Sequence, residues 1–162
     1  MDLGRILVFL HVLFAIVGAG GMVAMYPLLI GASRIDRLDL LRANLRSANI
    51  IDHVIVTPGF LGIGIFGAWV AFERNWDWSK NEWLIVGATL YLIIFATGIF
   101  FQGPSLRKQL KRANEALDAG ETIVPEDLAR SVRNPVLMVV SIIALAILVT
   151  IIELMSYKPF LG

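Results

Sequence analysis

His11 is the side chain of this sequence best suited to chemistry inside a membrane. It lies within residues 6–30, an apolar stretch without formal charge that exceeds the roughly 20 residues a helix needs to cross a bilayer core. An ionisable group at such a depth marks a functional site or makes a polar contact within a bundle. His11 can therefore be a structural hydrogen-bonding group, a haem or metal ligand, or a proton carrier, and the sequence leaves these three roles open.

Small and sulfur-containing side chains share a face of the predicted helix with this histidine. Spacings of four, three, four and three residues place together His11, Ala15, Gly18, Met22 and Met25. A groove of this kind accepts either a neighbouring helix or the edge of a planar cofactor such as haem. In the second case His11 is the axial ligand, and Met22 or a residue of another helix or subunit completes the site.

Three further side chains from other spans are expected at the depth of His11, namely Trp69, Tyr91 and Glu153. Because ionisable groups inside a membrane tend to pair, we expect a contact between His11 and Glu153, direct or through water. The candidate cofactor site consists of His11, Ala15, Gly18, Met22, Tyr91 and Glu153, with His11 as the metal ligand.

The second histidine, His53, is expected at the opposite membrane interface beside Asp52. It should lie roughly 20 Å from His11, because the two occupy different depths in a hydrocarbon core of about 30 Å. Metal–imidazole bonds of about 2 Å require two axial ligands of one iron to be about 4 Å apart. A haem held by both histidines of one chain is therefore not expected.

The composition excludes several classes of function. The chain has 162 residues, of which 57% are hydrophobic and 17% charged, its net charge is +1, and it contains no cysteine. Thiol chemistry, iron–sulfur clusters and cysteine zinc sites are therefore excluded, and nothing favours a nucleic-acid partner. The sequence has no Ser-His-Asp arrangement and no phosphate-binding loop, so no catalytic residue is assigned.

The apolar residues fall into four blocks, which predicts an all-α integral membrane four-helix bundle as a single domain, residues 1–162. The predicted spans are residues 6–30, 54–72, 84–101 and 136–155. The first block continues well past a signal-peptide core, which predicts a retained transmembrane helix. Pro58 should bend or loosen the first turns of the second span.

Two polar segments, residues 33–52 and 104–134, are predicted as amphipathic or short helices beside the membrane. Ser33 is the predicted N-cap of the first, and Pro125 opens a short helix in the second. These segments hold ten Lys and Arg residues, whereas the rest of the chain holds four (Arg5, Arg74, Lys80, Lys158). The positive-inside rule therefore predicts cytoplasmic segments and both termini outside, in a bacterial cytoplasmic membrane.

Several motifs resemble a functionally uncharacterised bacterial family of predicted four-span integral membrane proteins. They are the His-Val-Leu run leading into Gly-Ala-Gly-Gly, the Thr-Pro-Gly that opens the second span, the basic stretch after the third, and the closing Leu-Met-Ser-Tyr-Lys-Pro. The resemblance covers nearly the whole chain.

The first span also resembles CopD-type copper-resistance membrane proteins and the flavin-free membrane protoporphyrinogen oxidase, in which a first-span histidine is associated with haem. The matching positions are His11, Gly20 or Gly21, and Tyr26. The oxidase pattern also has a lysine within a later span, and no predicted span of this chain contains one. The resemblance therefore implies haem binding rather than the oxidase activity.

The leading hypothesis is a haem-linked membrane protein with haem b on His11, acting as a small redox or accessory subunit of a larger complex. Its expected partners are membrane lipids and either further copies of the chain or other subunits. One alternative is a cofactor-free structural or assembly subunit, in which the same face packs against a helix. The other is copper handling or transport, with His11, Met22 and Met25 as ligands.

Overall fold

The computed structural model of the protein describes residues 2–76 and 81–157, and helices dominate this part of the chain. The α-helices are α1 (Leu3–Ala32), α2 (Leu38–Ile51), α3 (Thr57–Glu73), α4 (Glu82–Thr97), α5 (Gly103–Asp118), α6 (Glu126–Val132) and α7 (Pro135–Tyr157). Four long helical stretches have the length and hydropathy to cross a membrane. The predicted all-α membrane bundle is confirmed. Lys80 and Lys158, which were counted for orientation, lie outside the described residues.

Two π-helical segments, Asp52–Val56 and Gly98–Gln102, join α2 to α3 and α4 to α5. Each is followed within two residues by a proline, Pro58 or Pro104, which has no N–H to donate to the carbonyl four residues earlier. The preceding residue instead donates its N–H five residues back, from Thr57 to Asp52 and from Gly103 to Gly98. The helix at Pro58 is therefore widened by one residue rather than broken.

Glycines allow α1 and α3 to pack closely. Gly18 and Gly59 face one another, and a methyl group added to Gly59 would lie 2.5 Å from the Cα atom of Gly18. Further along the same contact, Gly62 faces the ring of Phe14. Gly18, Gly59 and Gly62 therefore form the packing surface between α1 and α3.

The second close pair of membrane helices is α4 and α7, and side chains connect it to the first pair. Phe60 of α3 packs with Ile94 and Leu148, and the hydroxyl of Tyr91 donates a hydrogen bond of 2.8 Å to the carbonyl of Phe60. The hydroxyl of Tyr26 donates to the carbonyl of Ser141. The two pairs thus meet through a few bulky side chains, and this arrangement leaves space between them.

Helices α2, α5 and α6 pack together at one end of the bundle, and we call this group the basic cap. Their apolar faces form a buried core that consists of Leu38, Leu41, Leu45, Ala48, Leu106, Ala113, Ala116 and Leu128. A short backbone pairing adds to it, because Leu38 donates to the carbonyl of Thr122 and Val124 donates to that of Asp36. Through the π-helical segment Asp52–Val56, α2 continues into α3, so the first amphipathic segment extends the second span as one helical stretch.

The prediction that Ser33 is the N-cap residue of the helix after the first span is wrong. Ser33 ends α1, where its hydroxyl donates to the carbonyl of Ile30 at 2.8 Å, and α2 begins only at Leu38 after Arg37. The intervening residues form a turn, and Arg37 pairs with Ile123 in an isolated β-bridge. The short helix after Pro125 is present as predicted.

Candidate functional site

The structure places His11 between α1 and α3. Its ring lies against Gly67, and its Nδ1 atom is 3.1 Å from the carbonyl oxygen of Ile63. Because a carbonyl oxygen only accepts, Nδ1 carries the hydrogen and Nε2 keeps its lone pair. This tautomer suits metal ligation through Nε2, since ligating histidines usually donate their other N–H to a carbonyl or carboxylate.

The expected contact between His11 and Glu153 is not formed in the described part of the chain. Glu153 is exposed on α7, which packs against α4, whereas His11 takes its partner from α3. Trp69 is also exposed, at 46%. The hydrogen-bond partner of His11 is a backbone carbonyl instead of the expected carboxylate.

The small-residue groove of α1 holds another helix. Gly18 is buried, and a methyl group added to it would lie 3.1 Å from the carbonyl carbon of Gly59. The backbone of α3 therefore fills the place that a porphyrin edge was expected to take, so this groove does not fit haem. Whether haem binds to the chain elsewhere stays a prediction.

The remaining residues of the predicted cofactor site lie around other contacts. Tyr91 hydrogen-bonds to Phe60, and Met22 and Met25 line a cavity at the basic end of the bundle. His11 is eleven residues before Met22, or about 16 Å along the helix at 1.5 Å per residue. The structure therefore does not gather the predicted copper ligands in one place. Within the described residues, no group of three or more His, Cys, Asp or Glu side chains is arranged to hold a metal ion.

A cavity of about 320 Å³ lies between the two helix pairs, beside both π-helical segments. Its inner wall is apolar and consists mainly of Met22, Met25, Phe60, Ile94, Phe95 and Ala144. Polar side chains line the part nearer the basic cap, namely Asp52, His53, Gln102 and Arg107. An apolar cavity with a few convergent polar groups is the usual form of a small-molecule site, and this volume is near the lower end of the range of about 300–1,000 Å³.

The polar part of the cavity contains a connected set of side chains. Nδ1 of His53 is 3.0 Å from the carbonyl oxygen of Asn49, so this nitrogen carries the hydrogen. Nη1 of Arg107 donates to Nε2 of His53 over 3.3 Å, and a carboxylate oxygen of Asp52 is 3.6 Å from Nδ1. His53 is thus fixed by its own helix and in turn orients the guanidinium group of Arg107.

The sequence predictions missed this site. From the sequence alone, His53 is expected at the membrane interface beside Asp52, and Arg107 belongs to the basic stretch that indicates orientation. The available signal was the repetition of a proline at the basic ends of two neighbouring spans, in Thr57-Pro58 and Gly103-Pro104. Local widening of a helix into a π-turn is frequent at functional sites.

Comparison with known proteins gives a single finding. The family model described as "Predicted integral membrane protein (DUF2269)" matches residues 5–159. No curated protein matches the chain, and no solved structure matches it.

Proposed function

We propose that this protein binds a small amphipathic molecule from the membrane in the cavity between its two helix pairs. The chain belongs to the predicted integral membrane protein family DUF2269, so its ligand must be able to reach a site within a bilayer. The observation that carries the proposal is the cavity itself, with an apolar wall toward the middle of the bundle and Asp52, His53 and Arg107 toward the basic cap. Such a division suits a molecule with an apolar body and a polar head.

Charge distribution supports an orientation for this site. The segments around the basic cap hold ten of the fourteen Lys and Arg residues, so the positive-inside rule puts the cap in the cytoplasm and the termini outside. The polar part of the cavity then lies near the head groups of the inner leaflet of a bacterial cytoplasmic membrane. A ligand would enter from that leaflet with its head toward the cap.

Filling the cavity tests the proposal directly. Ala144 is a buried wall residue, so Ala144→Phe should occupy the space, whereas Ala146→Phe adds the same group at an exposed position on the same helix. Organic extracts of the purified proteins are compared by mass spectrometry. We expect a small molecule that accompanies the wild type and Ala146→Phe but is lost from Ala144→Phe. Identical extracts from all three proteins would contradict the proposal.

Haem binding is a second candidate function, and the tautomer of His11 favours it. With Nδ1 donating to Ile63, Nε2 has a free lone pair with which to ligate iron. The likeness of the first span to haem-associated membrane proteins supports the same candidate. Because α3 fills the groove beside Gly18, the residues on the opposite side of the haem would come from another subunit. This would be in keeping with an accessory role in a larger complex.

A visible absorption spectrum separates the two candidates. The purified protein is measured oxidised and reduced, with and without added haem, beside His11→Ala and His53→Ala. Haem on His11 predicts a Soret band that shifts on reduction and is lost only in His11→Ala. A spectrum without this band would remove the haem candidate and leave the proposal for the cavity unchanged.

A further inference from the structure

We infer that the cavity selects an amphiphile with an anionic oxygen head group, carboxylate or phosphate, and a single apolar chain, with Arg107 binding the head. This inference rests on the proposed ligand-binding function and adds the chemistry that the site recognises. It depends on four features of the cavity: the charge of Arg107, which is not in a close ion pair, the direction of its side chain, the position of Asp52 and the size of the apolar part.

Among residues 2–76 and 81–157, Arg107 forms no close ion pair: its hydrogen bond is to a histidine nitrogen, and the Asp52 carboxylate interacts with its charge only at longer range. Four other arginines around the cap are paired with carboxylates, namely Arg37 with Asp39, Arg112 with Asp127, Arg130 with Glu126, and Arg133 with Asp36, whereas Arg42 donates to the side-chain oxygen of Asn114. A guanidinium group has five N–H donors, of which Arg107 uses one here. The remaining N–H groups can donate hydrogen bonds to two oxygens of a carboxylate or phosphate in a bidentate arrangement.

The side chain of Arg107 folds back along its helix toward the membrane. A methyl group added to Gly103 would lie 3.6 and 3.7 Å from its two terminal nitrogens, and Gly103 is one turn nearer the cavity. The guanidinium group therefore lies beside Gly103, at the end of its helix nearer the cavity. His53 holds it there, because its Nε2 accepts a hydrogen bond from Nη1.

Asp52 distinguishes an anionic head from a cationic one. Its carboxylate lines the same part of the cavity and lies beside His53, at 3.6 Å. An anion bound to Arg107 would be repelled by this carboxylate, whereas a cation would be attracted to it. The two kinds of ligand therefore predict opposite effects of Asp52→Asn on affinity.

The apolar part of the cavity indicates one chain rather than two. The whole space is about 320 Å³, at the lower end for drug-sized ligands. Aromatic and aliphatic side chains form its wall, with Ala144 as the smallest of them. The basic residues of the cap would raise the local concentration of anionic amphiphiles at the membrane surface.

The test uses the full chain in nanodiscs of phosphatidylcholine and four probes of equal chain length: myristate, the corresponding lysophosphatidate, myristyl alcohol and myristylamine. Bound probe is counted by native mass spectrometry as its concentration is raised. The variants are Arg107→Gln, Asp52→Asn and Ala144→Phe. Matched controls are Lys108→Gln, which removes the neighbouring exposed charge, and Ala146→Phe.

We expect myristate or lysophosphatidate to bind more tightly than the alcohol and the amine, and comparison of these two anions identifies which head group is preferred. Arg107→Gln should weaken the anion by about tenfold to a hundredfold, the range for loss of hydrogen bonds to a charged group. Asp52→Asn should tighten it, and Lys108→Gln should leave it unchanged.

Two outcomes would overturn the inference separately from the proposed function. Equal binding of all four probes, abolished by Ala144→Phe but insensitive to Arg107→Gln, would leave a ligand cavity without head-group selection. Tighter binding of the amine, weakened in Asp52→Asn, would reverse the charge of the ligand. Binding that Ala144→Phe and Ala146→Phe affect equally would instead contradict the cavity as the site.

Discussion

Nη1 of Arg107 lies 3.3 Å from Nε2 of His53, although the two residues are 54 positions apart in the sequence. They belong to two different membrane-crossing helices: His53 lies within the first π-helical segment, and Arg107 follows the second by five residues. His53 is itself held by the carbonyl of Asn49 one turn earlier. This chain of contacts joins the two helix pairs at the polar end of the cavity, so a ligand that engages Arg107 would act on both pairs at once.

A double-mutant cycle on this pair tests whether His53 acts through Arg107. His53→Ala removes the acceptor that orients the guanidinium group, and we expect myristate affinity to fall by about two- to tenfold, the range for a neutral hydrogen bond. The double variant with Arg107→Gln should bind no more weakly than Arg107→Gln alone, because the histidine then has nothing to position. Losses that simply add would mean that His53 contacts the ligand independently. Affinities are measured by the same native mass spectrometry titration.

Much of the fold could be predicted from the sequence because its determinants are local. Long uncharged apolar stretches have few alternatives to membrane-spanning helices. The spacing of Ile35, Leu38, Leu41 and Leu45 predicts one apolar helix face. The three leucines are buried in the basic cap and at most 1% exposed, whereas Ile35 precedes α2 and is only partly buried. The error at Ser33 was also local, because a serine at the end of a helix can equally close the helix before it.

The candidate site could not be predicted in the same way, because its contacts depend on the register between helices. Both histidines hydrogen-bond to backbone carbonyls, those of Ile63 and Asn49, which have no signature in the sequence. The groove at Gly18 was compatible with a helix or a porphyrin, and the structure places Gly59 there. The pairing of small residues between two spans is determined only when the whole bundle packs.

The contact between Gly18 and Gly59 makes α3 intolerant of even one added methyl group. Gly59→Ala would bring a methyl to 2.5 Å from the Cα atom of Gly18, so the helices must separate, and we expect the free energy of unfolding to fall by about 1–3 kcal/mol. Gly20→Ala is the matched control, since nothing lies within 4 Å of its added methyl. It should leave stability unchanged or raise it by up to about 1 kcal/mol through helix propensity. Denaturant titration in detergent micelles gives both values, and equal effects of the two substitutions would contradict the packing.

The basic cap should depend on its apolar core more than on its ion pairs. Leu128 is 1% exposed, and Leu128→Ala should lower the free energy of unfolding by about 2–5 kcal/mol. Arg112→Gln, which breaks an exposed pair with Asp127, should have little effect. Thermal unfolding followed by circular dichroism compares them, and a larger loss in Arg112→Gln would contradict this account.

The ion pair between Arg112 and Asp127 makes the free energy of unfolding depend on pH in a defined direction. Hydrogen bonds from Arg112 hold the pKa of the Asp127 carboxyl below its usual value. The stability that this pair contributes is therefore present above the unfolded-state pKa and is lost as the pH falls through the folded-state pKa. In Arg112→Gln, the loss of stability that comes from protonating Asp127 in this pair should be absent. Unfolding curves of the wild type and of Arg112→Gln, measured at several acidic pH values, test this.

The two prolines beside the cavity are expected to maintain its shape. In Pro58→Ala and Pro104→Ala, the new N–H can donate to the carbonyl four residues earlier, on Val54 or Phe100, and the π-turn can tighten into regular α-helix. Tightening by one residue rotates the side chains before it by about 100° relative to the rest of the helix, from 3.6 residues per turn. Asp52 and His53, or Gly98 and Ile99, would then no longer face the cavity as they do now. We therefore expect weaker binding of myristate together with slower amide hydrogen exchange in the tightened segment.

Pro135→Ala is the control, because a proline at the first position of α7 replaces no helical hydrogen bond. Unchanged exchange and binding in both variants would show that the prolines do not maintain the π-turns, and the widening would then have to come from the packing of the two helix pairs around the cavity.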